Sequence, residues 1–169
     1  MEETKEYLAE KAALGDEKCF IALCDMLKTK LFRTAKGILG NETLSLEAVS
    51  EAVFKAFKGI RRLRNPKYAE TWFTRILINA ANDIYRRQKY EIIMEKVPEG
   101  LYYDNHHELE FNQMLKSLKP ELREIISLKY YSDYTLNEIS TILNIPEGTV
   151  KSRLNKALNL LRMEVLDGQ

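Results

Sequence analysis

Glycine and proline are scarce in this chain, with seven and four among 169 residues. Both residues break helices, so their scarcity predicts an all-α protein and argues against a turn-rich β architecture. Cysteine is scarcer still, with only Cys19 and Cys24. They lie five apart in one apolar helical stretch, about 500° around a helix, so they face different directions and cannot pair locally. The two histidines, His106 and His107, are adjacent in a polar stretch and read as solvated linker residues. No Cys/His spacing resembles a zinc site, and no metal or cofactor is expected. No run of 18 apolar residues occurs, so no spanning helix is expected. The opening MEETKEYLAEK is acidic and polar, unlike a secretory signal, and a reducing cytoplasm is the expected compartment.

The net charge of +1 hides a segregated pattern. Residues 1–57 carry a net −2, and residues 58–90, with nine basic and two acidic side chains, a net +7. Residues 91–112 carry −5, and residues 113–169 carry +1. A dense basic block is the electrostatic footprint of a nucleic-acid face. The acidic block holds Pro98, Gly100 and Asn105 and has little periodicity, so it reads as a linker. The organisation expected is two small helical domains, 1–90 and 113–169, joined by a flexible acidic linker over 91–112.

The second domain carries the sharpest motif. Residues Thr135 to Arg162 read TLNEISTILNIPEGTVKSRLNKALNLLR. Leu136, Ile139, Ile142 and Leu143 repeat at helical spacing, with Thr135 and Glu138 placed as a capping box. Asn144 suits the left-handed turn at a helix end, Ile145 pins that turn to the core, and Pro146 and Gly148 forbid a continuous helix. A second helix follows with Val150, Leu154, Leu158 and Leu161 inward. A short helix, a tight turn and a helix with a basic, amide-bearing N-terminal face is the geometry that enters a major groove. The outer face supplies Thr149, Lys151, Ser152, Arg153, Asn155 and Lys156 as candidate DNA contacts. Tyr130, Tyr131 and Tyr134 are expected to pack the start of this unit.

The first domain reads as four helical segments. Residues 3–14 are short and amphipathic. Asp16 caps a second segment that runs to about Leu39 and ends at Gly40-Asn41. A third starts at Thr43 or Ser45, with Val49, Ala52, Val53, Ala56 and Phe57 inside and Glu47, Ser50, Glu51 and Lys55 outside. A basic loop, Arg61 to Lys67, leads to a fourth segment over Tyr68–Lys89. Trp72, Phe73, Ile76, Leu77, Ala80 and Ile84 form its core side, with Trp72 read as a packed anchor.

Four segments in order carry a family resemblance: GDEKCFIALCDMLKTKLFRTAKGILGN, LEAVSEAVFKAF, TWFTRILINAANDIYRRQK and LKSLKPELREIISLKYYSDYTLNEISTILNIPEGTVKSRLNKAL. Together they resemble a bacterial RNA polymerase sigma factor of the extracytoplasmic-function type, which keeps two domains, region two and region four, on a flexible linker. The resemblance implies that the chain binds RNA polymerase core and directs promoter-specific initiation. Glu47, Val49, Ser50, Glu51, Val53 and Phe54 would meet the β′ clamp helices, and the apolar shell of the second domain the β flap. Arg61, Arg62, Arg64, Asn65, Lys67, Tyr68, Arg75, Asn79, Arg86 and Arg87 would hold the minus-ten DNA, with an unstacked base captured by the Asn65–Tyr68 loop. The helix-turn-helix face would read the minus-thirty-five element. An anti-sigma factor, often membrane-bound in the family, is the implied restraint. Ser50 stands where the family usually has Gln or Asp, and Ala69 where an aromatic is usual.

Two other classes compete. A stand-alone helix-turn-helix regulator needs dimeric half-site spacing, and no coiled-coil seam is visible. An enzyme acting on nucleic acid needs a carboxylate or Cys/His cluster, but the acidic residues are dispersed or lie in the linker. No catalytic residue and no small-molecule substrate is expected.

Overall fold

The structure is a computed structural model that describes residues 3–94 and 106–168, with helical backbone alone for 106–109. Among the described residues there are eight α-helices and no strand. Thr4 caps α1 (Lys5–Ala13) by accepting from the Tyr7 N–H at 3.2 Å. Asp16 caps α2 (Glu17–Leu39) by accepting from the Cys19 N–H at 3.0 Å. Gly40 closes α2 in the left-handed conformation, φ +61°, which a Cβ would strain. The cap of α3 (Glu42–Gly59) is Asn41, which accepts from the Leu44 N–H at 2.9 Å. That helix therefore starts earlier than Thr43 or Ser45, because the Asx side chain satisfies the first free N–H. Short 3-10 turns at Ile60–Arg62 and Pro66–Tyr68 carry the basic loop into α4 (Ala69–Met94).

The expected linker is helical at both ends. Glu91 to Met94 continue α4, since no Gly or Pro among them breaks it, and His106 opens α5 (His106–Ser117). Residues 95–105, with Pro98, Gly100 and Asn105, lie outside the described residues. The chain then forms α6 (Pro120–Ile126), a π-helical turn over Ser127–Tyr131, α7 (Leu136–Leu143) and α8 (Glu147–Asp167).

Helix α2 is the central strut. Phe20, Leu23, Leu27, Leu31, Ala35 and Ile38 are buried along it, against Leu8 of α1 and Phe73, Leu77, Ala81 and Ile84 of α4. Helix α3 packs on this group through Ala48, Ala52 and Ala56, all fully buried. Small residues bring its backbone close and leave Val49 and Val53 only half-buried. Phe57, expected inside, is 49% exposed and meets Phe20 edge-on at 5.3 Å.

The core does not stop at the boundary between the two regions. Ile125, Leu128, Tyr134, Ile139, Ile142 and Val150 belong to the same buried cluster as the α2 and α4 side chains. Helix α7 packs on α4, and α6 with its π-helical turn packs on α2. A smaller cluster of Leu115, Leu118, Leu122, Ile126, Ala157 and Leu161 closes the C-terminal part. The two regions are thus docked face to face.

Candidate nucleic-acid interface

The helix-turn-helix is built by local chemistry. Thr135 Oγ1 accepts from the Glu138 N–H at 3.2 Å, while Glu138 Oε2 accepts from the Thr135 N–H at 2.8 Å. This reciprocal capping satisfies two donors that the helix cannot. Asn144 takes φ +54°, and Ser140 Oγ donates to the Ile145 carbonyl at 2.6 Å, locking the turn. Pro146 occupies the cap of α8, and Gly148 lies inside the first turn of α8. The break therefore rests on Asn144 and Pro146, not on Gly148.

Along α8, Val150, Ala157 and Leu161 are buried, with Leu154 and Leu158 half-buried. Lys151, Ser152, Asn155 and Lys156 are exposed on the opposite side, and Thr149 and Arg153 are partly so. Lys151 pairs with Glu147 one turn earlier, at 3.4 Å, and Ser152 Oγ donates to the Thr149 carbonyl at 3.0 Å. An exposed i,i+4 pair contributes little and exchanges readily for a phosphate. All six residues predicted from the sequence share one accessible face. Tyr134 is buried, Tyr131 half-buried and Tyr130 exposed.

The second candidate face runs from the basic loop along α4. Arg61, Arg62, Arg64, Asn65, Lys67 and Tyr68 are all exposed. Asn65 caps the following 3-10 turn by accepting from the Lys67 N–H at 3.1 Å, and Thr71 Oγ1 donates to the Tyr68 carbonyl at 3.0 Å. These bonds hold the loop over a cleft of about 250 Å³ lined by Leu63, Arg64, Asn65, Tyr68, Thr71, Trp72, Arg75 and, from the other region, Thr141. Trp72 packs edge-on to Phe73 at 6.2 Å, which fits the packed anchor read from its helix position. A second hollow of about 400 Å³ lies between α4 and the start of α6, lined by Asn79, Asn82, Asp83, Tyr85, Arg86 and Pro120.

The three arginines of α4 are engaged within the fold. Arg86 pairs with Asp83, and Arg87 reaches Glu47 at 3.3 Å and Glu51 at 3.9 Å on α3. Arg75 Nε donates to the Ile142 carbonyl at 2.7 Å, and its Nη2 donates to the Thr141 carbonyl. At the head of α4, Glu70 takes Lys30 at 2.8 Å and Lys5 as well. Burial opposes its charge, but the hydrogen bonds from Lys30 and Lys5 win and hold the carboxyl below its ordinary value.

The polymerase candidates lie on α3. Glu47 and Ser50 are exposed, and Glu51 is partly exposed and paired with Lys55 at 2.7 Å. Phe54 is 58% exposed with the Lys58 ammonium 4.4 Å from its ring centre. With Leu46 and Phe57 also exposed, helical spacing aligns an apolar ridge beside the carboxylates. On the C-terminal region, a groove of about 380 Å³ is lined by Phe111, Met114, Ile126, Tyr130, Leu158, Leu161, Arg162 and Val165.

Sequence reasoning missed the residues that join the two faces. Thr34 and Ser132 share a hydrogen bond at 2.6 Å, and Thr74 and the Tyr134 hydroxyl share one at 2.8 Å, all of these residues buried. Asn82 Nδ2 donates to Glu124, and Arg123 lies fully buried with its guanidinium 3.7 Å from the centre of the Tyr85 ring. Isolated Thr and Ser residues give no periodic signal. Two signals were present: Gly37 interrupts an apolar helix run, and Arg123 stands at a core position among Leu122, Ile125 and Ile126.

Comparison with known proteins places these faces. The family models described as Sigma-70 region 2 and Sigma-70, region 4 match residues 23–90 and 114–163. RNA polymerase sigma factor SigV of Bacillus subtilis (strain 168) is 31% identical over 143 residues, covering 82% of this chain and 86% of that protein. The ECF RNA polymerase sigma factor SigW of the same strain is 27% identical over 172 residues, covering 90% and 92%. Among solved structures, CnrH in complex with the cytosolic domain of CnrY has a TM-score of 0.78 at 21% identity, covering 98% of each chain. The sigma factor RpoE of Bartonella quintana, in complex with the anti-sigma factor NepR, has a TM-score of 0.69 at 21% identity, covering 89% of this chain and 98% of that one. At that identity these two report a shared fold.

Proposed function

This chain belongs to the RNA polymerase sigma factors of the extracytoplasmic-function type, and from that premise we propose how its residues divide the work of promoter-directed initiation. The carrying observation is the pairing, in one chain, of a basic loop-and-helix face within the region 2 match and an accessible helix-turn-helix face within the region 4 match. Polymerase core makes the bonds, and this chain supplies position and recognition.

The α3 ridge, with Glu47, Val49, Ser50, Glu51, Val53 and Phe54, docks on the β′ clamp helices. The apolar groove of the C-terminal region takes the β flap. Arg61, Arg62, Arg64 and Lys67 hold phosphates around an unstacked minus-ten base, which enters the cleft at Asn65 and Tyr68. Arg75, Asn79, Arg86 and Arg87 continue that contact along α4. Phosphate contacts position the chain, and base contacts specify the sequence. Thr149, Lys151, Ser152, Arg153, Asn155 and Lys156 read the minus-thirty-five element in the major groove. CnrH and RpoE are each seen with a partner protein, and an anti-sigma factor that covers both DNA faces is the corresponding partner here. No helix among the described residues is long and apolar enough to cross a membrane, and the cytoplasm is the working compartment.

Run-off transcription with core polymerase tests the reading. Core plus this chain starts at promoters that core alone ignores, and base changes in either element lower the yield. Equal transcripts with and without the chain overturn it.

A further inference from the structure

We propose that Glu70 is a positioning residue for the minus-ten base: held from behind by Lys5 and Lys30, it sets the pose of the Asn65–Tyr68 loop and so which base the cleft accepts. The inference rests on the assignment of that cleft to an unstacked base, and it concerns residues that touch no DNA themselves.

The loop and the head of α4 form one continuous unit. Asn65 Oδ1 accepts from the Lys67 N–H at 3.1 Å, and the Tyr68 N–H donates back to the Asn65 carbonyl at 3.1 Å. Thr71 Oγ1 donates to the Tyr68 carbonyl at 3.0 Å, and Thr74 Oγ1 to the Glu70 carbonyl at 2.8 Å. Ala69, between Tyr68 and Glu70, is buried. A shift of Glu70 therefore carries Tyr68 and Asn65 with it.

Glu70 is fixed from two sides. Its Oε1 takes the Lys30 ammonium of α2 at 2.8 Å, and its Oε2 takes the Lys5 ammonium of α1. Its side chain is only 20% exposed, so salt screens these pairs less than a surface pair. All three residues lie in the first region, so the clamp does not depend on the second.

Two observations set this apart from an ordinary acid at a helix start. A first-turn acid is favoured by the helix dipole alone and needs no partner, yet lysines from two other helices converge on this one. Lys5 moreover opens α1, the end where the same dipole disfavours a cation. Its place is unfavourable for α1 and right for Glu70. The second observation is where α1 sits. It packs on both 3-10 turns that flank the loop, Ile60–Arg62 and Pro66–Tyr68. At the upstream end the Arg61 guanidinium lies along the α1–α2 turn, where a Cβ on Gly15 would stand 3.4 Å from its Nη2. One short helix and its turn thus brace the loop at both ends, while Arg64, Asn65 and Lys67 stay exposed between them. Recognition needs such support, because a site loose by about 1 Å loses its selectivity.

Run-off transcription by the full chain with core polymerase, from four templates that differ only at the captured base, tests this. The wild-type chain should prefer one base. Glu70→Gln keeps the shape and removes the charge, and Lys5→Met leaves α4 untouched. Each should shrink the yield ratio between the preferred base and the others about threefold or more. The melting temperature should stay close to wild type, since all three side chains keep some access to water. The double variant should narrow the ratio no further than Glu70→Gln alone, as residues acting through one contact do. A wild-type ratio in either single variant overturns the proposal, and so does additive narrowing in the double variant. A fall in all four yields alike, with a lowered melting temperature, overturns it too, because Glu70 would then serve stability alone. Four equal yields from the wild-type chain overturn the base cleft itself, a failure visible before any variant is made.

Discussion

The two DNA faces of this molecule carry similar side chains in opposite circumstances. On α8, Lys151, Ser152, Asn155 and Lys156 project outward, and the ion pair of Lys151 is with its own helix. On α4, Arg75 holds backbone carbonyls of the other region, and Arg87 holds carboxylates of α3. Exposed ion pairs of the Arg86 and Arg87 kind contribute about 0–1 kcal/mol each, so DNA displaces them cheaply. Arg75 differs in its partners, because it donates to two backbone carbonyls of the other region. The partners that the side chains hold, not residue type or exposure, distinguish the two readers. Composition sets the two apart only in charge, net +7 over residues 58–90 against +1 over 113–169, and says nothing of the partners.

The most severe way to break the comparison is to remove the scaffold that both faces share. Phe73 is fully buried where α2 and α4 meet and stacks toward Phe20 at 6.4 Å. Phe73→Ala should cost about 3–5 kcal/mol in chemical denaturation and abolish binding at both elements together. Loss at one element only would mean that the two faces stand on separate cores.

Next comes the specificity of the open face. Arg153→Ala should cost about 1–3 kcal/mol at one minus-thirty-five base position, as a bidentate guanine contact does. Lys156→Ala should weaken binding evenly across sequences and lower the salt slope by about one. A base-substituted promoter set measures both, and unchanged selectivity in the arginine variant would move the recognition face elsewhere on α8.

A smaller effect is expected at α3. Glu51→Arg reverses a charge at the proposed β′ contact and also faces Arg87 and Lys55. Competition for core polymerase should show about tenfold weaker binding, with a melting temperature close to wild type because the lost pairs are partly exposed. Undiminished affinity removes Glu51 from that interface.

The gentlest probe is pH. Burial raises the Glu124 carboxyl above its ordinary value of 4.5, against the opposing Asn82 hydrogen bond and the nearby Arg123 and Arg153 charges, with Glu121 adding to the rise. The docked state thus holds this proton more tightly than an open one. Its contribution to closure is fully present below the ordinary value and is lost as pH rises through the raised one. Scattering from the free chain should therefore show a radius that grows from acid toward neutral pH, and Glu124→Gln should flatten that profile. A variant that keeps the wild-type slope assigns the pH response to another group.

Much of the architecture was legible because helices announce themselves locally. Asp16, Thr135 with Glu138, and Asn144 sit where caps and turns need them, and the structure uses each one so. The α8 face followed from periodicity alone. The boundaries that slipped did so for local reasons: Asn41 outcompeted Thr43 and Ser45 as a cap, and Glu91 to Met94 extended α4. The docking of the regions was not legible. Thr34, Thr74, Ser132 and Tyr134 are ordinary helix-surface or turn residues until a partner 60 to 98 positions away covers them. Phe57 misled because its helical phase is apolar, yet the alanine face of α3 carries the packing.

The asymmetry of the two faces can be measured directly with the free chain and two labelled oligonucleotides, a minus-thirty-five duplex and a minus-ten single strand, each with and without core polymerase. The free chain should bind the duplex weakly and with steep salt dependence, bind the single strand weakly through the exposed basic loop, and bind both more tightly once core is present. Equal single-strand affinity with and without core would contradict the account, because it would mean that the partners of Arg75 do not hinder its cleft.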